Sequence, residues 1–294
     1  MLNNTFTKIN INNIKSFVIN LDNYIDNFNQ QLPYLQKIKL NPVRYSAINA
    51  IKNDHLKYKN IINKLSYYFS PKSVIGCSLS HILLSKHILQ NYNQNNNDNN
   101  NQNNYFLIME DDVFPLEKYN NDSELFYNVL SNEINNINII DPNWDIIQLH
   151  SDGIIDTQST YNTHFFTGST AAYLISINGL NKLSKEKVTY HIDFVTQNCI
   201  KYRKYRSREN LFYTNEKSSI NREVNINKSI TIKSNVLKKF ISLRGEKIWE
   251  DYLNFKSLRI PLFNKEFTVN NLIDVTIIMF MLKLFLRNKY KLIK

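Results

Sequence analysis

Tyr105-Phe-Leu-Ile-Met109, followed at once by Glu110-Asp111-Asp112, is the stretch that decides the fold class. Five apolar residues in a row, too few for a buried helix, make a strand covered on both faces, the kind found at the centre of a parallel sheet. The chain repeats the pattern. Lys15-Ser-Phe-Val-Ile-Asn-Leu21, Arg44-Tyr-Ser-Ala-Ile-Asn-Ala50, Trp144-Asp-Ile-Ile-Gln-Leu149 and Ala171-Ala-Tyr-Leu-Ile-Ser176 are further strand candidates. Between them, Asp26 to Ile38 carries helical spacing, although Pro33 predicts a break or a late start. A buried helix is predicted from near Ser78 or Ser80 through Leu89, and another from Asn178. Strands alternating with helices at these intervals specify an α/β fold with a mostly parallel sheet.

The flanking segments are less regular. Residues 91–104 are almost pure Asn and Gln and read as a disordered surface loop inserted between a helix and the central strand. Beyond about residue 200 the periodicity dissolves. Lys201-Tyr-Arg-Lys-Tyr-Arg206 reads as a solvated basic face or a device for neutralising diphosphate, and 209–235 is polar with little period. The expected division is therefore a catalytic domain over 1–205 and a partly helical C-terminal region over 206–294.

Composition sets the outer limits. The 43% apolar content supports a sizeable core and excludes collagen-like, coiled-coil and wholly disordered chains. Two cysteines, Cys77 and Cys199, cannot by themselves build a disulfide framework or a zinc cluster. The formal charge of +11 favours phosphate-bearing partners, yet Lys belongs with Asn, Ile, Tyr and Phe to the residues an AT-rich genome enriches. Of only five glycines, Gly76, Gly153, Gly168 and Gly179 fall in the middle of the chain, where the site is expected.

No apolar core runs through the first thirteen residues, so no signal peptide is expected. The apolar stretch from Leu272 to Leu286 is short for a bilayer and interrupted by Asp274 and Lys283, so no transmembrane helix is expected. With the terminal Lys and Arg residues after it, 272–294 fits a helix lying on a membrane surface or docked on the protein. The expected location is cytoplasmic, with peripheral membrane contact through that segment.

Ligands of open α/β sheets bind outside the carboxyl ends of the strands, and Glu110, Asp111 and Asp112 stand at such an end. Three adjacent carboxylates repel one another, and a divalent cation relieves the repulsion. Alternation along an extended backbone sends Glu110 and Asp112 to one side and Asp111 to the other, which assigns a metal to the first and third. Hard oxygen ligands suit Mg²⁺ or Mn²⁺. The competing reading is a solvated acidic turn with Asp112 as a helix cap.

Six segments in order resemble glycosyltransferase family 25, the lipopolysaccharide and collagen galactosyltransferase-like enzymes. They are Phe17-Val-Ile-Asn-Leu-Asp22, Arg44-Tyr-Ser-Ala-Ile-Asn-Ala50, Ile75-Gly-Cys-Ser-Leu-Ser-His81, Leu107-Ile-Met-Glu-Asp-Asp-Val113, Trp144-Asp-Ile-Ile-Gln-Leu149, and Thr170-Ala-Ala-Tyr-Leu-Ile-Ser176 with Gly179. Together they cover roughly residues 15 to 200, which is more specific than any single motif.

The resemblance implies a GT-A-like nucleotide-sugar-binding fold, a UDP-sugar donor and Mn²⁺ or Mg²⁺. It implies inverting transfer of a hexose, galactose or glucose, to a hydroxyl on a glycan, glycolipid or protein. On the matched motif Asp112 and Glu110 hold the metal, and Asp111 reaches the donor. Asn20 and Asp22, closing the first strand, are expected at the nucleotide, although the arginine often found after this strand is missing from Tyr24 to Gln30. Gly76, Ser80 and His81, taken as a Gly-then-helix start, are expected to offer backbone N–H groups to the diphosphate. The base candidates are Asp193 and Asp152, and Asp193 is preferred for its spacing from the Tyr173 segment. A catalytically silent glycan-binding scaffold is the main alternative. No nucleic-acid partner is expected.

Overall fold

The computed structural model describes residues 14–95, 105–150, 169–196, 200–215, 256–260 and 265–268. In chain order the elements are β1 (Ser16–Asn20), α1 (Ile25–Lys37), β2 (Val43–Ser46), α2 (Lys64–Phe69), α3 (Lys72–Asn95), β3 (Tyr105–Glu110) and β4 (Val113–Pro115). There follow α4 (Ser123–Ile140), β5 (Ile146–Gln148), β6 (Ala172–Ser176), α5 (Ile177–Leu183), α6 (Ile192–Thr196), β7 (Lys204–Arg206), β8 (Phe212–Thr214), β9 (Lys256–Ile260) and β10 (Lys265–Thr268). The architecture is mixed α/β.

Six strands form the central sheet in the order β2-β1-β3-β6-β5-β7. Pairs β1–β2, β1–β3 and β5–β7 are parallel, and only β6 runs against its neighbours β3 and β5. The sheet is thus mainly parallel, as the apolar runs predict. All five strand candidates sit in it.

Alternation along each strand divides the core between two faces. Val18, Leu107, Met109, Ile147, Leu149 and Leu174 join a cluster with Leu35 and Ile38 of the α1 segment and Phe126, Leu130 and Ile134 of α4. The odd-phase residues Phe106, Glu110 and Tyr173 face the other way. There Tyr173 meets His81 of α3, and Phe106 meets Tyr92. That phase decides which helix Glu110 addresses.

Four sequence expectations need correction. Helix α1 runs through Pro33 without a break. Proline forfeits its bond to the carbonyl four residues back, but Pro33 and Asn29 are both exposed, so water can serve that carbonyl. Helix α3 begins at Lys72, not near Ser78, and continues into the Asn-rich tract as far as Asn95. The basic stretch is only half solvated: Lys201 and Arg203 are exposed, but Lys204 and Arg206 of β7, at the sheet edge, are buried. The boundary expected at 205 therefore cuts a strand.

The chain divides into two compact units, Met1–Ser66 with Lys72–Ser219, and Tyr67–Pro71 with Ile220–Lys294. Within the second, β9 and β10 pair antiparallel as a hairpin. Residues 272–294, and with them the membrane-surface helix, lie outside the described residues, as do 96–104. No helix among the described residues is long and apolar enough to cross a membrane.

Gly76 lies in the interior of α3, because a Cβ there would stand 2.6 Å from the carbonyl oxygen of Ile48. The helix thereby rests directly on the backbone that follows β2. Gly76→Ala gains at most ~1 kcal/mol of helix propensity. It forces a backbone shift of the kind that costs about 1–3 kcal/mol. Denaturant unfolding is expected to show a net loss of up to ~2 kcal/mol; a variant as stable as the parent would show that the contact yields freely.

Candidate functional site

Parallel pairing of β1 with β3 sets Ile19 beside Glu110, so the carboxyl ends of both strands open on one edge. The reversed strand β6 brings its amino end to that edge, where the Glu110 N–H donates to the Ala171 carbonyl at 2.8 Å. Asn20, Asp22, the acidic triplet and Thr170 are gathered there. Residues far apart in sequence meet because the sheet order requires it.

The triplet does not continue the strand. Strand β3 ends at Glu110, and Asp111-Asp112 form a tight turn into β4. Gln31 of α1, fully buried, clamps this turn by donating to the carbonyls of Glu110 (2.9 Å) and Val113 (2.5 Å). The Asn215 N–H, just after β8, donates to the Asp112 carbonyl at 2.7 Å. Strict alternation is lost, and each carboxylate takes its own direction.

Glu110 points at α3. Its Oε1 lies 3.3 Å from His81 Nε2 and 3.9 Å from Cys77 Sγ. His81 is fully buried, and its Nδ1 meets the Tyr173 hydroxyl at 2.9 Å. Burial, with Glu110, Asp193 and Asp112 within electrostatic reach, pushes the Cys77 thiol well up. Of these carboxylates, Glu110 is the one in contact with Cys77.

Asp111 turns to β1. Its Oδ2 accepts from Asn20 Nδ2 at 2.6 Å and from Asn27 Nδ2 at 3.5 Å. Burial raises its pKa, against the pull of Asn20. Asn20 also donates to the Tyr24 carbonyl and accepts from Arg44 Nε at 2.6 Å. The same guanidinium grips Asp22 at 2.6 Å, and Ser46 donates to that carboxylate at 2.8 Å. Arg44 foremost, then Ser46, holds Asp22 below the usual carboxylate range. Arg44 of β2 thus ties the end of β1 through both Asn20 and Asp22.

Gly76 and Ser80 do not form an anion cradle. Both lie inside α3, past its first turn, where N–H groups are committed to the helix ladder. Ser80 Oγ instead donates to the Gly76 carbonyl and accepts the Ile48 N–H, at 2.7 and 2.8 Å. These two are packing residues. His81 stands on the site but through its ring.

Asp193 lies in the first turn of α6. It accepts from the Thr170 N–H at 2.7 Å and from Thr170 Oγ1 at 2.6 Å, and pairs with His191 Nδ1 at 3.1 Å. Burial opposes ionisation, but His191, Thr170 and Lys204 outweigh it and hold the carboxylate far below its ordinary range. Its partner His191 is shifted up, burial opposing and Asp193 prevailing. Lys204 of β7, buried here, is pushed down to about 8 by burial. Asp152, Gly153, Gly168 and Cys199 lie outside the described residues.

Gln31 and Arg44 escape a sequence search because both act through contacts distant in the chain. One signal for Arg44 exists: it is the only arginine before Arg203 in a lysine-rich sequence.

No family model and no curated protein sequence matches the chain. Among solved structures, one similar to it is a glycosyltransferase involved in the glycosylation of the major capsid of PBCV-1. The TM-score is 0.37 at 13% identity, covering 70% of this chain and 94% of that one. A likeness at that level leaves the chemistry to be argued from the residues.

Asp112 is the least satisfied of the three acids. Its Oδ1 is buried with no hydrogen-bond partner among the described residues. Burial first, then Glu110 and Asp111, pushes its pKa from 3.8 up to about 8. A folded-state pKa above the unfolded value means that the folded protein holds the proton more tightly, so metal-free stability falls as pH rises through that window. Asp112→Asn is expected to flatten the slope and to raise metal-free stability at its upper end by more than ~1 kcal/mol, the worth of one pKa unit. Denaturation on either side of the window reads this; an unchanged slope would place the strain elsewhere.

Proposed function

We propose that the protein is a metal-dependent glycosyltransferase with a GT-A-like nucleotide-sugar fold, moving galactose or glucose from a UDP-sugar to a hydroxyl acceptor with inversion. The observation that carries this is the buried, unpartnered Asp112 oxygen beside Glu110, at the carboxyl end of the central strand. Mutual repulsion and a missing partner are what a cation site presents when no cation is bound. The donor set fits Mn²⁺ or Mg²⁺, with Asp112 as first ligand and Glu110 as second. The segment-by-segment resemblance to family 25 supplies the transferred group.

Asp112 and Glu110 would hold a divalent cation, which would supply Lewis-acid charge against the negative charge gathering on the departing diphosphate. The remaining work belongs to the chain. Asp111, fixed by Asn20, and Asp22, fixed by Arg44 and Ser46, receive the nucleotide at the end of β1. Arg44 offsets part of the negative charge that the two carboxylates bring to that end of the site. The acceptor hydroxyl must lose a proton, and a carboxylate as strongly held as Asp193 is a weak acceptor by itself. Asp193 therefore acts with His191, as a charged partner that orients the ring and raises its proton affinity. The acceptor is a glycan, glycolipid or protein hydroxyl.

Purified protein with Mn²⁺ and a panel of nucleotide sugars is expected to release nucleoside diphosphate from one UDP-sugar. Asp112→Ala is expected to lose at least ~100-fold, since even outer-shell partners of a metal are worth 10–100-fold. Chelation with EDTA is expected to match it. Absence of release, together with no effect of UDP and Mn²⁺ on the melting temperature, would instead favour a silent glycan-binding scaffold.

A further inference from the structure

We propose that Cys77, His81 and Glu110 form a second cation site, selective for a borderline-soft metal such as Zn²⁺. Cys77 and His81 are four residues apart in α3 and so share one helix face, a turn apart. Glu110, closing β3, faces them. One ligand atom from each lies within 4.8 Å of the other two.

The spacing can be compared with the geometry of zinc. Bonds of ~2.3 Å to sulfur and ~2.0–2.1 Å to nitrogen and oxygen, arranged tetrahedrally, separate N and O by about 3.4 Å and S and O by about 3.6 Å. Here His81 Nε2 is 3.3 Å and Cys77 Sγ 3.9 Å from Glu110 Oε1. Both separations fall within about 0.3 Å of the tetrahedral values. Two of the three edges of the ligand triangle thus match a bound ion, and the third, from Cys77 to His81, is within 4.8 Å.

The surroundings complete the site. The Tyr173 hydroxyl sits on His81 Nδ1, and a hydroxyl can accept as readily as donate. With metal on Nε2, the ring proton stays on Nδ1 and points at that oxygen, the usual outer-shell support for a ligating histidine. His81 is shut away, but the Glu110 side chain is 29% exposed and Cys77 is part-exposed. Solvent thus reaches one side, where a fourth ligand, water, can sit. On binding, the Sγ–metal bond forms as the thiol proton leaves to solvent.

Thiolate and imidazole prefer Zn²⁺ or Co²⁺, whereas carboxylates alone suit Mn²⁺ and Mg²⁺. The site rests on α3, β3 and β6 and is independent of the glycosyl-transfer reading. If that reading holds, the two cations compete for Glu110, and zinc withdraws it from the ion at Asp112.

The test uses the full-length chain, stripped by chelator and titrated with Co²⁺. One equivalent is expected to produce a near-ultraviolet thiolate-to-cobalt charge-transfer band, which Zn²⁺ then abolishes. The band is expected to persist in Cys199→Ser, to vanish in Cys77→Ser, and to need at least ~10-fold more Co²⁺ in His81→Ala. No band in the parent, or a band that survives Cys77→Ser, overturns the site. Should Cys77→Ser not fold, zinc-edge X-ray absorption on Cys199→Ser loaded with one equivalent decides: one sulfur in the first shell supports it, and nitrogen and oxygen alone refute it.

Discussion

Three consecutive carboxylates at the end of a buried strand repel one another, and much of this structure is the means of keeping them apart. The turn after β3 breaks their alternation, and Gln31 and the Asn215 N–H hold that turn. Glu110 is aimed at α3 and Asp111 at β1, while one oxygen of Asp112 stays buried without a hydrogen-bond partner among the described residues. Each direction depends on a different element. The strain left on Asp112 is what remains once the other two have found partners.

The same constraint links fold to function. Reversed strand β6 brings Thr170 to the acidic edge, and Thr170 fixes Asp193, which pairs with His191. Close approach of α3 over Gly76 lowers Cys77 and His81 toward Glu110. The edge that carries the triplet is thus held by short polar contacts from elements far apart in the chain.

Four strands of the sheet, β1, β3, β5 and β6, are legible because their apolar runs are buried in the sheet, whereas β2 at the edge is half exposed and shows less plainly. Strands β7 and β8 are not legible, since Lys204-Tyr-Arg206 and Phe212-Tyr-Thr214 carry too few apolar residues to show a period. Buried charge here is made tolerable by partners such as Thr196 for Lys204, which no window of sequence reveals. Gly76 stands out by the scarcity of glycine, but its missing side chain admits the Ile48 carbonyl rather than a phosphate. The triplet's place at a strand end could be read, but not the turn that separates its members, because Gln31 acts from 79 residues away.

The central claim is the proposed role of Asp112 as a cation ligand, which rests on its buried oxygen without a hydrogen-bond partner among the described residues. Anomalous diffraction at the manganese edge, from crystals grown with Mn²⁺ and UDP, tests it most directly. The account predicts one strong peak within bonding distance of Asp112 Oδ1, with Glu110 beside it. A peak held elsewhere with Asp112 still unpartnered, or none at saturating Mn²⁺, would contradict it.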